Sequence, residues 1–146
     1  QDPSFNGKIR IYDYVYFGEF KKRRTTIFEL ESKDFDLPKF EIHPKGTLNQ
    51  IQEFFVGKEK PYPEIKEFHS KYEVKTLEEE YFENRVSYLA LEQIAEKKGL
   101  YVEGEGDYLL MYYRSQQVDV RDIIADCDYA LDLAENVLYT DSGDYV

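Results

Sequence analysis

Residues 99–114, GLYVEGEGDYLLMYYR, set a G-x-G among acids and aromatic side chains. That spacing has three chemical readings: a phosphate cradle, a cation loop or a turn. A dinucleotide fingerprint needs its glycines between a strand and a helix, so that phosphate meets the helix N-terminal amides. Here a strand pattern follows, and Glu103, Glu105 and Asp107 would repel phosphate. The same three acids offer oxygens to a cation. An EF-hand loop counted from Glu103, however, would need a bidentate acid where Arg114 stands. A weak surface cation site is the minority alternative, and a hairpin the favoured reading, with glycine admitting a positive φ in GEGD.

The other candidates are sparse. His43 and His69 are the only histidines, and neither lies in an H-x-x-x-H or H-E-x-x-H pattern. The single cysteine, Cys127, excludes an internal disulfide and could meet a histidine in space as a nucleophile–base pair. It falls, however, on an apolar helical stripe, where cysteine packs as a small hydrophobe. There is no G-x-S-x-G and no Walker motif. With 30 acids in 146 residues, close carboxylate pairs need no catalytic explanation. No catalytic residue, metal-ligand set or cofactor is therefore expected.

Charge says more. The formal net charge is −11, which argues against nucleic-acid or anionic-membrane binding, since both require a cationic footprint. Residues 119–146 hold Asp119, Asp122, Asp126, Asp128, Asp132, Glu135, Asp141 and Asp144 against Arg121, or −7 of that −11. Asp119 and Asp122 suit a helix start. Asp132 and Glu135 lie towards the wrong end of the helix dipole, so helix stability does not explain them. Solubility is one explanation and a complementary basic surface the other. On the second, Asp126, Asp128, Asp132 and Glu135 would steer a basic partner, and Tyr129, read as exposed, would anchor it. The one basic run, KKRR (21–24), reads as a solubilised hairpin turn.

The elements that must position these residues follow from periodicity. KIRIYDYVYF (8–17) alternates, with Ile9, Ile11, Asp13, Val15 and Phe17 on one face and Lys8, Arg10, Tyr12, Tyr14 and Tyr16 on the other. RRTTIFELE (23–31) returns as its hairpin partner, and KFEIH (39–43) is a third strand. Thr47 and Gln50 form a capping box before LNQIQEFFV, a helix ended by Gly57. Residues 57–70 read as a loop with room for a short helical turn, before a strand at KYEVKT (71–76). Thr76 and Glu79 form a second box, opening a helix that runs to Lys97-Lys98 and Gly99 with Phe82, Val86, Leu89, Ala90 and Ile94 buried. Two strands flank GEGD. A last helix over 118–138 should bury Val120, Ile123, Ile124, Cys127, Leu131, Ala134 and Leu138. The order β-β-β-α-β-α-β-β-α predicts one α+β domain with a mainly antiparallel sheet and helices on one face. Gln1-Asp2-Pro3 looks like a cloning remnant, and no apolar run reaches the roughly 20 residues that cross a bilayer.

Taken as a series, IYDYVYF, RRTTIFELES, DFDLPKFEIHPKG, FHSKYEVKT and GLYVEGEGDYLLMYYR, followed by the amphipathic last helix, resemble an uncharacterised family of bacterial proteins over about residues 8–138. Members often carry membrane-spanning segments ahead of this region. The resemblance therefore implies a soluble domain; the expected setting is cytoplasmic, with a tether to the inner membrane through a segment absent from this chain as the alternative. It brings no catalytic residue. The expected function is a non-catalytic interaction domain whose acidic helix and tyrosine-bearing sheet meet a basic protein, in the manner of an inhibitor or immunity protein. The alternatives are a sensory or scaffold domain of a membrane-tethered protein and, last, an enzyme.

Overall fold

The computed structural model describes residues 5–18, 21–46, 64–114 and 116–138. Six strands form one antiparallel sheet: β1 (Lys8–Phe17), β2 (Lys22–Glu31), β3 (Leu37–Pro44), β4 (Tyr72–Thr76), β5 (Tyr101–Gly106) and β6 (Tyr108–Tyr112). Their spatial order is β1-β2-β6-β5-β3-β4. Helices α1 (Lys66–Lys71), α2 (Glu79–Arg85), α3 (Tyr88–Ala95) and α4 (Val120–Asn136) complete the α+β architecture that the sequence pattern predicts.

Alternation sorts the strand residues between two faces. One face presents Phe28, Leu30, Phe40, Ile42, Val74, Val102, Leu109 and Met111, all buried. It packs beneath Phe68 of α1, Phe82 of α2, Leu91 and Ile94 of α3, Leu133 of α4 and Val137 just past its end. Phe40 and Phe82 meet edge to face at 5.2 Å, locking α2 to the sheet. Tyr72 begins β4 and ties it to the end of α3. Its hydroxyl donates to the Lys97 carbonyl at 2.7 Å and accepts from the Leu100 amide at 3.1 Å. The other face carries no helix among the described residues.

Several elements depart from the sequence expectation. The helix expected over 76–98 is two helices, broken at Val86-Ser87. There Val86 turns extended and bridges Leu138, and the Ser87 amide donates to the Val137 carbonyl at 2.8 Å. The Ser87 hydroxyl accepts from the Ala90 amide at 3.0 Å as the cap of α3 and donates to the Asn136 carbonyl. A serine able to satisfy the backbone in this way competes with helix continuation. Leu89, expected inside, is exposed as a result of the new helix phase. Thr76 does not cap α2, whose cap residue is Glu78. Its hydroxyl instead accepts from the Glu78 amide and donates to the Lys39 carbonyl of β3.

The stripe expected on the last helix is also rotated. Val120 and Ile124 are 82% and 75% exposed, and the fully buried positions are Ala130, Leu133 and Ala134. The first two turns of α4 bury nothing completely, so the helix phase is set by its second half, which packs on α3 and β2. The helix expected at 48–56 lies outside the described residues, as do Gln1-Asp2-Pro3, Asp141 and Asp144. The short helical turn anticipated before β4 is α1.

Candidate functional site

Strand pairing aligns the open face into rows that local sequence does not reveal. Across the sheet one row reads Arg10, Glu29, Leu110, Glu103, Glu41, Lys75. The next reads Tyr12, Ile27, Tyr112, Tyr101, and on the far strands His43 pairs with Glu73. Beyond it stand Tyr14 and Thr25, then Tyr16. A row of carboxylates therefore lies one rung, two residues or about 7 Å along the strands, from a row of tyrosines.

The face is concave. A groove of about 630 Å³ is walled by Tyr12, Tyr14 and Tyr16 on one side and Glu41 and His43 on the other, with Tyr101, Glu103, Tyr112 and Arg114 between them. A second hollow of about 370 Å³, which includes Lys39, Glu105 and Tyr108, shares Glu41, Glu103 and Leu110 with the first. Tyr101 and Tyr112 stack at 5.3 Å with 12° between their planes, and Tyr14 and Tyr16 stack at 5.8 Å. The Tyr112 hydroxyl donates to Glu103, and burial followed by that carboxylate drives its pKa far up, so the hydroxyl stays protonated. The Arg114 guanidinium lines one end of the groove with Tyr101 and Tyr16, and their proximity raises its pKa.

The carboxylates of the row are not equivalent. Glu29 is held by Arg10 at 2.7 Å and by the Tyr12 hydroxyl at 2.9 Å. Burial and then Glu29 push the Tyr12 pKa up to about 12. Glu41 and Glu103 face each other directly on neighbouring strands, an arrangement that like charges disfavour. Lys75 reaches Glu41 only at 4.0 Å. Negative potential therefore concentrates at Glu41 and Glu103, between tyrosine rings.

The G-x-G resolves into two structural roles. Gly106 (φ +60) is the first residue of a two-residue turn joining Glu105 to Tyr108, the position where a type II′ turn calls for glycine. Gly104 faces the core, where an added Cβ would stand 2.8 Å from Phe40 Cζ. Neither glycine meets a helix N-terminus.

The histidines and the cysteine do not converge. His43 is buried against the groove, whereas Cys127 is half-buried on the helix side of the same sheet. Burial and then Asp128 raise the Cys127 thiol pKa, the opposite of activation. His69 lies on α1, edge-on to Phe68 at 5.2 Å. Lys21, Lys22, Arg23 and Arg24 are all exposed at the β1–β2 turn and the start of β2. Among the described residues, no group of three or more His, Cys, Asp or Glu could hold a metal ion.

The helix residues expected to bind a partner divide into two sets. Asp128, Asp132 and Glu135 recur at i, i+4 and i+7 and share one side of α4. Asp128 and Asp132 are exposed, and Asp132 accepts from the Gln93 side chain at 3.4 Å. Tyr129 and Asp126 turn towards α3. Tyr129 is half-buried, its hydroxyl donates to the Gln93 carbonyl at 3.0 Å, and Lys97 Nζ lies 4.6 Å from its ring centroid. It packs α4 on α3 rather than standing free as an anchor. Asp126 is half-buried too, and burial raises its pKa against the opposing pull of Lys97.

The acidic helix and the tyrosine groove occupy opposite sides of the sheet. A helix is about 10 Å across, so at least that thickness of structure separates the two surfaces, and each faces solvent on its own side.

No family model, curated protein or solved structure matches the chain. What the protein does must be argued from these two surfaces. Sequence reasoning found the tyrosine alternation of β1 but missed Glu41, Glu103, Tyr101, Tyr112 and Arg114 as a group. They meet through pairing between strands far apart in the chain, and no local spacing signals that.

Proposed function

We propose that the protein is a non-catalytic interaction domain for a basic protein partner, of the kind an inhibitor or immunity protein exemplifies. The observation that carries the reading is the open sheet face, where tyrosines and carboxylates line one groove. Tyrosine combines contact area with a polar tip, and interface hot spots are rich in it. Carboxylates beside such rings favour a cationic surface. A cytoplasmic setting suits the single thiol. Among the described residues, no helix is long and apolar enough to cross a membrane.

A second contact, on α4, is favoured by the common side of Asp128, Asp132 and Glu135. The reading is tested by purifying the protein with its partner from the native host and measuring affinity as salt is raised. A steep loss with salt is expected, and a salt-insensitive complex would overturn the proposal.

A further inference from the structure

The geometry points to a specific occupant of the groove: we propose that one arginine side chain of an extended partner segment enters it, its guanidinium between Glu41 and Glu103 and against the Tyr101–Tyr112 stack. This rests on the reading that the partner is basic and names what it inserts.

Three observations converge on arginine. Glu41 and Glu103 are directly opposed on β3 and β5, with Tyr112 donating to Glu103 and Lys75 no nearer to Glu41 than 4.0 Å, so a cation between them would offset a like-charged pairing. The neighbouring rung offers two nearly parallel rings at 5.3 Å, a flat slab beside the carboxylates. A planar guanidinium can fork onto carboxylate oxygens while stacking on an aromatic face, which a compact ammonium cannot do. Arg114, two rungs beyond Glu103, fixes the polarity of the groove: one end is cationic and the other anionic. An extended segment would therefore place its arginine at the Glu41–Glu103 end and a carbonyl or carboxylate near Arg114. The span is about 14 Å, or about four residues at strand rise.

The test uses the whole protein and a blocked pentapeptide, acetyl-Gly-Gly-Arg-Gly-Gly-amide, followed by amide chemical shifts. Titration should move the amides of Glu41, Tyr101, Glu103 and Tyr112. Replacing arginine by citrulline should abolish the shifts, and lysine should weaken them. Glu103→Gln keeps the side-chain shape and should weaken binding about tenfold, equivalent to about 1.4 kcal/mol. Glu41→Gln gives a second measurement should the first variant alter the fold. Shifts confined to Asp128, Asp132 and Glu135 would overturn the groove assignment while leaving a basic partner on α4. Equal binding by citrulline, or no shift anywhere, would overturn the arginine inference. The wider reading would then stand or fall on the salt dependence of the native complex.

Discussion

The two faces of the sheet come from the same six strands and differ by one residue in register. On β2, Phe28 is 1% exposed beneath the helices, while Glu29, its neighbour, lines the hollow beside the groove and pairs with Arg10. The covered face holds the fold together by burying apolar area, with its few polar groups bonded. The open face instead bonds the Tyr12 and Tyr112 hydroxyls to Glu29 and Glu103 and sets Glu41 directly opposite Glu103, a like-charged pairing that does not favour folding. Groups that stabilise the fold and groups suited to recognition are thereby segregated.

The sharpest way to break that contrast is to truncate the covered face. Phe82→Ala should lower stability by about 3–5 kcal/mol, read from denaturant midpoints. In conditions where the protein stays folded, the groove's response to the arginine peptide should not change. Gly104→Ala comes next. Its Cβ would press on the Phe40 ring, so a loss of about 1–3 kcal/mol is expected from the same measurement. A neutral result would mean that Phe40 has room to move.

On the open face the sign of the contrast should reverse. Tyr112→Phe removes the donor to Glu103 and should cost about 1 kcal/mol of stability or less. It should nevertheless change peptide binding, measured by the same titration. A large stability loss without a binding change would make the groove a structural feature.

The smallest effect is expected on α4. Burial holds the pKa of Asp126 above its ordinary 3.8, so the folded state favours the protonated form. The associated stability is present below that ordinary value and is lost as pH rises through the folded value. Asp126→Asn should therefore stabilise the protein at neutral pH by under about 0.5 kcal/mol, with the gain vanishing in acid. Thermal melts at both pH values check it.

Edge protection adds to the comparison. β1 is an edge strand with Ile11, Val15 and Phe17 exposed on the helix side, and Phe17 is 81% exposed. Asp13 interrupts that apolar row, accepting from Thr26 and Gln117 at 2.7 Å each. A charge on the inward face of an edge strand discourages pairing with another chain. The alternation of β1 foretold this row, but its location at the edge emerged only with the strand order.

By itself, the sequence determined what depends on neighbours close in the chain. Period-two alternation specified β1 and its two faces, β-branched and aromatic residues marked β2, and the glycine of GEGD specified the hairpin. Gly99 (φ +79) supplied the left-handed residue expected past the end of a helix. Tertiary structure alone decided three things: that Val86-Ser87 would leave the helix to meet the end of α4, that α4 would turn Val120 and Ile124 outward, and that Glu41 would face Glu103. The physical reason is common to all three. A side chain's partner across a sheet or between helices is chosen by the packing of distant segments, whereas periodicity and turn chemistry are satisfied within a few residues.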